Sequence, residues 1–244
     1  LGYIDFRLVR KQDSQMRKRG KSLFREYFEL IAETAVFVFF VMTFVVQAFQ
    51  IPTGSMIPKL LVGDFLLVNK MAYARPSSPV EGFLLPHRQI DRKDLVVFKW
   101  PVDLTKDLVK RVIGFGGDKV EIRAKQLYVN DEAINEPYKI HKDNTAYSKD
   151  DAYHYDQALR DNYGPIFVPA GHLVVMGDNR DDSADSRTWG FVPLDNIKGR
   201  PWVIYFSYDA ERDAYLKTSL RDRMRKILVF IPKARWGRIL KFIN

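Results

Sequence analysis

A chain of 244 residues that is 46% hydrophobic and 28% charged can build one sizeable core or two small domains, and is too apolar to be wholly disordered. It has no cysteine, which excludes disulfides and cysteine-held zinc, and His87, His141, His154 and His172 are too scattered for a histidine-rich metal centre, so no metal or cofactor is expected. The formal net charge of +9 sits at the two ends: residues 1–33 hold eight Lys or Arg against five acids and residues 217–244 nine against one, leaving the middle slightly acidic. That distribution disfavours nucleic acid as a partner and draws attention to the flanks.

In chain order, residues 1–29 form a basic segment. From Leu30 to Ile51 the only charge is Glu33, near one edge, and these 22 residues cross a hydrocarbon core of about 30 Å as a helix. Arg7, Arg10, Lys11, Arg17, Lys18, Arg19, Lys21 and Arg25 precede that run, and the first cation after it is Lys59. The positive-inside rule therefore puts the N-terminal flank in the cytoplasm and everything after about residue 51 outside. A cleavable signal peptide is the rival, because Val46-Gln47-Ala48 resembles a small-residue cleavage site. The long polar region before the run and the length of the run itself make it the weaker reading.

Beyond the span, β-branched and alternating runs predict strands at 65–69, 95–100, 109–115, 119–123, 127–130, 172–177 and 202–209, punctuated by Gly, Pro and Asp-rich turns. No long amphipathic helix separates them, so the expected class is mainly β, an antiparallel domain over 52–130 and 166–216. Residues 131–165 are polar and aperiodic and read as a small cap or excursion. Residues 217–244 mix cations with Ile227, Phe230, Trp236, Leu240 and Phe242. Such a basic amphipathic tail suits a phospholipid surface, and equally a terminal strand or helix packed on the domain.

Three stretches carry candidate chemistry. In IPTGSMIPKLLVGD (51–64), Gly54 permits a tight turn before Ser55, and Pro52 and Pro58 stiffen both sides; taken alone, such a serine is more often a turn or cap hydroxyl. Lys110 lies in the apolar run 107–114, where burial would lower its pKa enough to make a neutral amine, although a strand lysine usually points to solvent. The third stretch, GDNRDDSADSRTWGFVP (177–193), fails as a calcium loop because Arg180, Ser183 and Trp189 occupy positions that need other residues. It reads better as a rigid polar turn in which Ser183 hydrogen-bonds an amine and Asp185 pairs with Arg187. Two nucleotide-like matches, Gly114–Lys119 and Gly20-Lys21-Ser22, lack essential glycines.

A transmembrane span followed by PTGSMIPKLLVGD, KRVIGFGGDKV and MGDNRDDSADSRTWGFVP, in that order, resembles the bacterial type I signal peptidases over residues 35–206. The resemblance implies a membrane-bound endopeptidase of the inner membrane, its β catalytic domain on the periplasmic side, that removes signal peptides from exported preproteins after Ala-x-Ala. It implies Ser55 as nucleophile, Lys110 as general base, Ser183 orienting Lys110, and Asp185 with Arg187 bracing the loop. The oxyanion hole would be the Ser55 N–H and the Thr53 hydroxyl, threonine standing where many members have serine. Substrate pockets would fall on Phe49, Ile51, Met56, Leu60, Leu108 and Val109. Gram-negative members often have two spans, and an upstream one is compatible with a chain that starts at Leu1.

Two other functions fit parts of the pattern. A self-cleaving Ser/Lys regulator shares the dyad but calls for a DNA-binding module, and no helix-turn-helix pattern is seen. A membrane-anchored basic binding protein would depend on residues 217–244, whose removal would then spare any peptidase chemistry. No pattern specifies the oligomeric state.

Overall fold

The computed structural model describes residues 22–73, 88–210 and 232–243. The chain forms two compact units, residues 1–44 and 45–244.

The first unit is a helix, α1 (Leu23–Phe40), whose N-terminus is capped by the Ser22 side chain accepting from the Arg25 N–H. A π turn, Val41–Val45, continues it. Over Leu23–Val45, 23 residues with a mean hydropathy of 2.0, none of the apolar surface is buried by protein. Such a helix, apolar around its whole circumference, has the length and composition to cross a bilayer. The span expected at 30–51 is thus displaced toward the N-terminus. Arg25, Glu26 and Glu29 lie inside the first turns, where a count of uncharged residues stops short, and Val46–Gln50 is a strand, β1.

The second unit is built from antiparallel strands in two sheets. The larger has the order β1-β2-β11-β3-β4-β9-β10, with β2 at Asp64–Asn69, β3 at Leu95–Trp100, β4 at Asp103–Phe115, β9 at His172–Met176, β10 at Val192–Pro193 and β11 at Ile197–Ser207. A short last strand, β12 (Lys241–Phe242), pairs with β11. The smaller sheet runs β7-β6-β5-β8, from β5 (Lys119–Arg123), β6 (Gln126–Val129), β7 (Glu132–Ala133) and β8 (Tyr163–Phe167). Helix α2 (Tyr155–Asp161) precedes β8, and α3 (Ser186–Trp189) follows β9.

The boundary expected at residue 131 moves to Lys119, because β5 and β6 belong to the smaller sheet and β8 closes it from the far end of the polar stretch. The excursion shares a core with the main sheet: Ile113, Val174 and Met176 pack with Val120, Ile122, Leu127 and Val129. A second cluster, Ile51, Met56, Leu60, Leu66, Leu95, Ile204 and Ile243, lies around the turn after β1. Residues 217–231 of the expected tail lie outside the described residues. Residues 232–243 pack on the domain, with Ile243 buried in that second cluster, so this part of the tail follows the packed reading.

Candidate active site

Strand β1 ends at Gln50, and the chain turns through a 3-10 turn, Gly54–Met56, that presents Ser55. Extended backbone at Thr53 leads into it, and the exposed Thr53 hydroxyl makes no capping hydrogen bond. Strand β4 lies between β3 and β9, and its second half is buried. Pairing places Lys110 opposite Val96 of β3, and the lysine is only 3% exposed. Its amine stands 2.5 Å from the Ser55 hydroxyl, across 55 residues of sequence.

Burial pushes Lys110 down from 10.5 to about 8; Arg187 adds to the effect, while Asp185 and Asp178 oppose it. At pH 7 about one amine in ten is then neutral, against about one in a few thousand for an unperturbed lysine. A base that is both close and deprotonated is what a serine hydroxyl needs in order to attack a carbonyl.

The loop after β9 wraps this pair. Asp185 accepts from the Gly177 N–H at 3.0 Å and holds Arg187 by two bonds of 2.9 Å, and Arg187 in turn donates to the Arg180 carbonyl at 2.7 Å. Burial works to raise Asp185, but the Arg187 guanidinium outweighs it and holds the carboxyl below its usual value. The expected brace of Asp185 and Arg187 is therefore formed. Ser183 is buried near the nucleophile: a Cβ built on Gly177 would stand 2.3 Å from the Ser183 hydroxyl and 2.5 Å from the Ser55 carbonyl oxygen. Only glycine fits between them. The Ser183 hydroxyl bonds no group among the described residues, so the expected bond to Lys110 is not made in this structure.

Of the six residues expected to form substrate pockets, five are brought together: Phe49 and Val109 pack against Ile51, Met56 and Leu60. Leu108 packs elsewhere, with Val96, Phe98 and Val112 on the β3, β4 and β9 strands, because its side chain follows the other face of the strand.

Several residues around the site escaped sequence reading. Arg111 grips Asp178 through two bonds, at 2.7 and 2.5 Å, and its guanidinium lies 4.0 Å from the centre of the Tyr138 ring. Arg180, fully buried, is held by both oxygens of Glu136. Asn179 reaches the backbone of Gly54 and Ser55. The adjacency of Arg111 to Lys110 and the polar density of 177–187 were usable signals for two of these; nothing in the aperiodic stretch 131–165 marked Glu136 or Tyr138.

A model of the family described as signal peptidase, peptidase S26, matches residues 24–206. The chain belongs to that family. A signal peptidase I from Aquifex aeolicus is 33% identical over 215 residues, covering 70% of this chain and 79% of the relative. A signal peptidase I from Pseudomonas fluorescens is 35% identical over 199 residues, covering 71% and 69% respectively. A solved signal peptidase I from Enterococcus faecalis V583 is 31% identical and covers 46% of this chain and 97% of its own, with a TM-score of 0.37. Membership of the signal peptidase family makes the chain a serine peptidase, a hydrolase. Its apolar helix Leu23–Val45 fits the role of N-terminal membrane anchor.

Proposed function

We propose that this chain removes signal peptides from exported preproteins with a Ser55–Lys110 dyad. One observation carries the reading: a buried amine 2.5 Å from a buried serine hydroxyl, in a chain of the signal peptidase family. Neutral Lys110 takes the proton from Ser55 as its oxygen attacks the scissile carbonyl. The developing oxyanion is held by the Ser55 N–H and the Thr53 hydroxyl. The lysine ammonium then protonates the leaving amine, an acyl-enzyme forms on Ser55, and water deprotonated by the same lysine releases the signal peptide. Ser183, buried and without a partner among the described residues, supplies a hydroxyl for Lys110 as the charge builds.

The shallow apolar wall of Phe49, Ile51, Met56, Leu60 and Val109 suits small side chains and supports an Ala-x-Ala preference. Mass determination of the new N-terminus of a preprotein, after incubation with detergent-solubilised enzyme, should show cleavage after such a site and none with Ser55→Ala. Cleavage by the Ser55→Ala protein would sink the reading. The rate should also follow the neutral amine: kcat/KM falls about tenfold per pH unit below about pH 8 and levels above it. A flat profile between pH 6 and 9 would contradict Lys110 as the base.

The catalytic unit stands, in this reading, on the outer side of the bacterial inner membrane, and touches phospholipid. Trp202, Trp236, Leu240 and Phe242 are exposed beside Lys241, a combination of rings and cations that suits the headgroup region. In reconstituted enzyme, brominated phospholipid is expected to quench the fluorescence lost in Trp236→Phe; an unquenched Trp236 would remove the lipid contact.

A further inference from the structure

We infer that Asn179 is the residue that aims the oxyanion-binding N–H of Ser55. The inference rests on Ser55 being the nucleophile and extends it to a positioning residue 124 positions away.

The argument begins with one peptide unit. The carbonyl of Gly54 and the N–H of Ser55 belong to the same planar amide, and the cis peptide bonds of the described chain lie elsewhere, at Ile57-Pro58 and Gly164-Pro165. In a trans amide the C=O and N–H point in opposite directions, so whatever fixes the Gly54 oxygen fixes the line along which the Ser55 N–H points. Two donors hold that oxygen. The Ile57 N–H, at 3.2 Å, closes the local 3-10 turn, and the Asn179 side-chain amide, also at 3.2 Å, grips it from the loop after β9. A short turn with one hydrogen bond is soft, because 3-10 geometry is poor. The second donor supplies the stiffness.

Asn179 also holds the next amide. Its backbone N–H donates to the Ser55 carbonyl at 3.1 Å. The two peptide planes that meet at the Ser55 Cα are therefore both tied to one residue. Their orientation sets the direction of the Ser55 N–H and the origin of the Ser55 side chain together.

Asn179 is itself fixed from both neighbours. Asp178 is locked by Arg111, the residue after Lys110, and Arg180 is locked by Glu136. Between them, Ile140 of the smaller sheet's segment bridges Asn179, with its N–H on the Asp178 carbonyl at 2.8 Å and its carbonyl accepting from Arg180 at 3.0 Å. Asn179 is only 3% exposed, and its Oδ1 finds no partner among the described residues. A buried acceptor left unpaired is costly. The position keeps asparagine at that cost because its Nδ2 donor is in use.

An oxyanion donor acts on the transition state and barely touches the bound substrate, so mis-aiming it lowers kcat and spares KM. Asn179→Ala is expected to reduce kcat about 100-fold, with KM changed less than threefold and a melting temperature above that of the assay. A peptide aldehyde ending in Ala-x-Ala provides an independent readout. The Ser55 oxygen bonds to its carbonyl carbon, the carbonyl electron pair moves to oxygen, and Lys110 takes the hydroxyl proton; its inhibition constant should weaken by a similar factor. If alanine lowers the melting point too far, Asn179→Asp replaces it, since aspartate keeps the shape and removes only the Nδ2 donor, and the same split is expected. Loss that appears in KM with kcat retained, or wild-type kcat in either variant while Ser55→Ala is dead, overturns the role of Asn179 and leaves the nucleophile standing. Activity in Ser55→Ala would instead overturn the reading on which it rests.

Discussion

Lys110→Arg is expected to lower preprotein cleavage by about ten thousandfold or more while the protein stays folded. The guanidinium keeps its proton at any pH the protein survives, so the variant has a cation where a neutral amine is required. Lys110→Met should be equally inactive but more stable, and the sign of that gain follows from the pKa. The unfolded lysine titrates near 10.5 and the folded one near about 8. Below pH 8 both states are protonated, and the fold bears the full cost of a buried ammonium, about 3 kcal/mol. Between 8 and 10.5 the unfolded chain binds more protons than the native one, so stability rises with pH and the cost fades; above 10.5 it is gone. Urea melts of Lys110→Met and the parent should therefore differ most at pH 6 to 7 and converge toward pH 10.5. Equal stability at neutral pH would mean that Lys110 bears no such burial cost, and a cleaving Lys110→Arg enzyme would end its assignment as base.

The same lysine shows where sequence reading succeeds. Ser55, Lys110 and the 177–187 loop were legible because each sits in a short motif and the three occur in a fixed order; the model places the amine beside the hydroxyl. Strands β2, β3, β4, β5, β6, β9 and β11 were legible from alternation and β-branching. Strand β1 was not, because Val46–Gln50 continues an uncharged run and has the composition of the helix before it. Strand β8 was hidden by Gly164 and Pro165, which read as a turn. The loss is greater for long-range partners. Glu136 has no periodic neighbours, and only the fold brings it to Arg180, 44 residues on. Asn179 looked like one polar turn residue among many, since its reach to Gly54 is a property of two loops folded together. Ser183 shows the converse: the resemblance assigned it a bond to Lys110 that the structure does not make.

Removing residues 232–244 is expected to abolish activity as completely, although no proposed catalytic group lies there. A basic tail that merely touched lipid could be trimmed with the peptidase intact. Instead, Arg238 reaches into the turn that follows the nucleophile. Its guanidinium donates to both oxygens of Asp64, at 3.1 and 2.6 Å, and to the Lys59 carbonyl at 3.0 Å. Asp64 is fully buried and also accepts from the Leu61 N–H and the Ser207 hydroxyl. Lys59 to Asp64 is the turn that carries Leu60, a wall of the proposed substrate pocket, and Ile243 packs into the same apolar cluster. Truncation takes away Ile243, at about 2–5 kcal/mol, and leaves the Asp64 carboxylate without its principal cation, at about 3–5 kcal/mol. Their sum rivals the whole stability of a typical domain. Arg238→Met isolates the electrostatic part and should itself destabilise by several kcal/mol in urea. Adding Asp64→Asn should recover much of that loss, because removing both charges leaves no ion stranded in the core. A double variant as unstable as the single one would show that Arg238 acts through packing rather than through Asp64. A truncated enzyme with full activity would show that the turn stands without either.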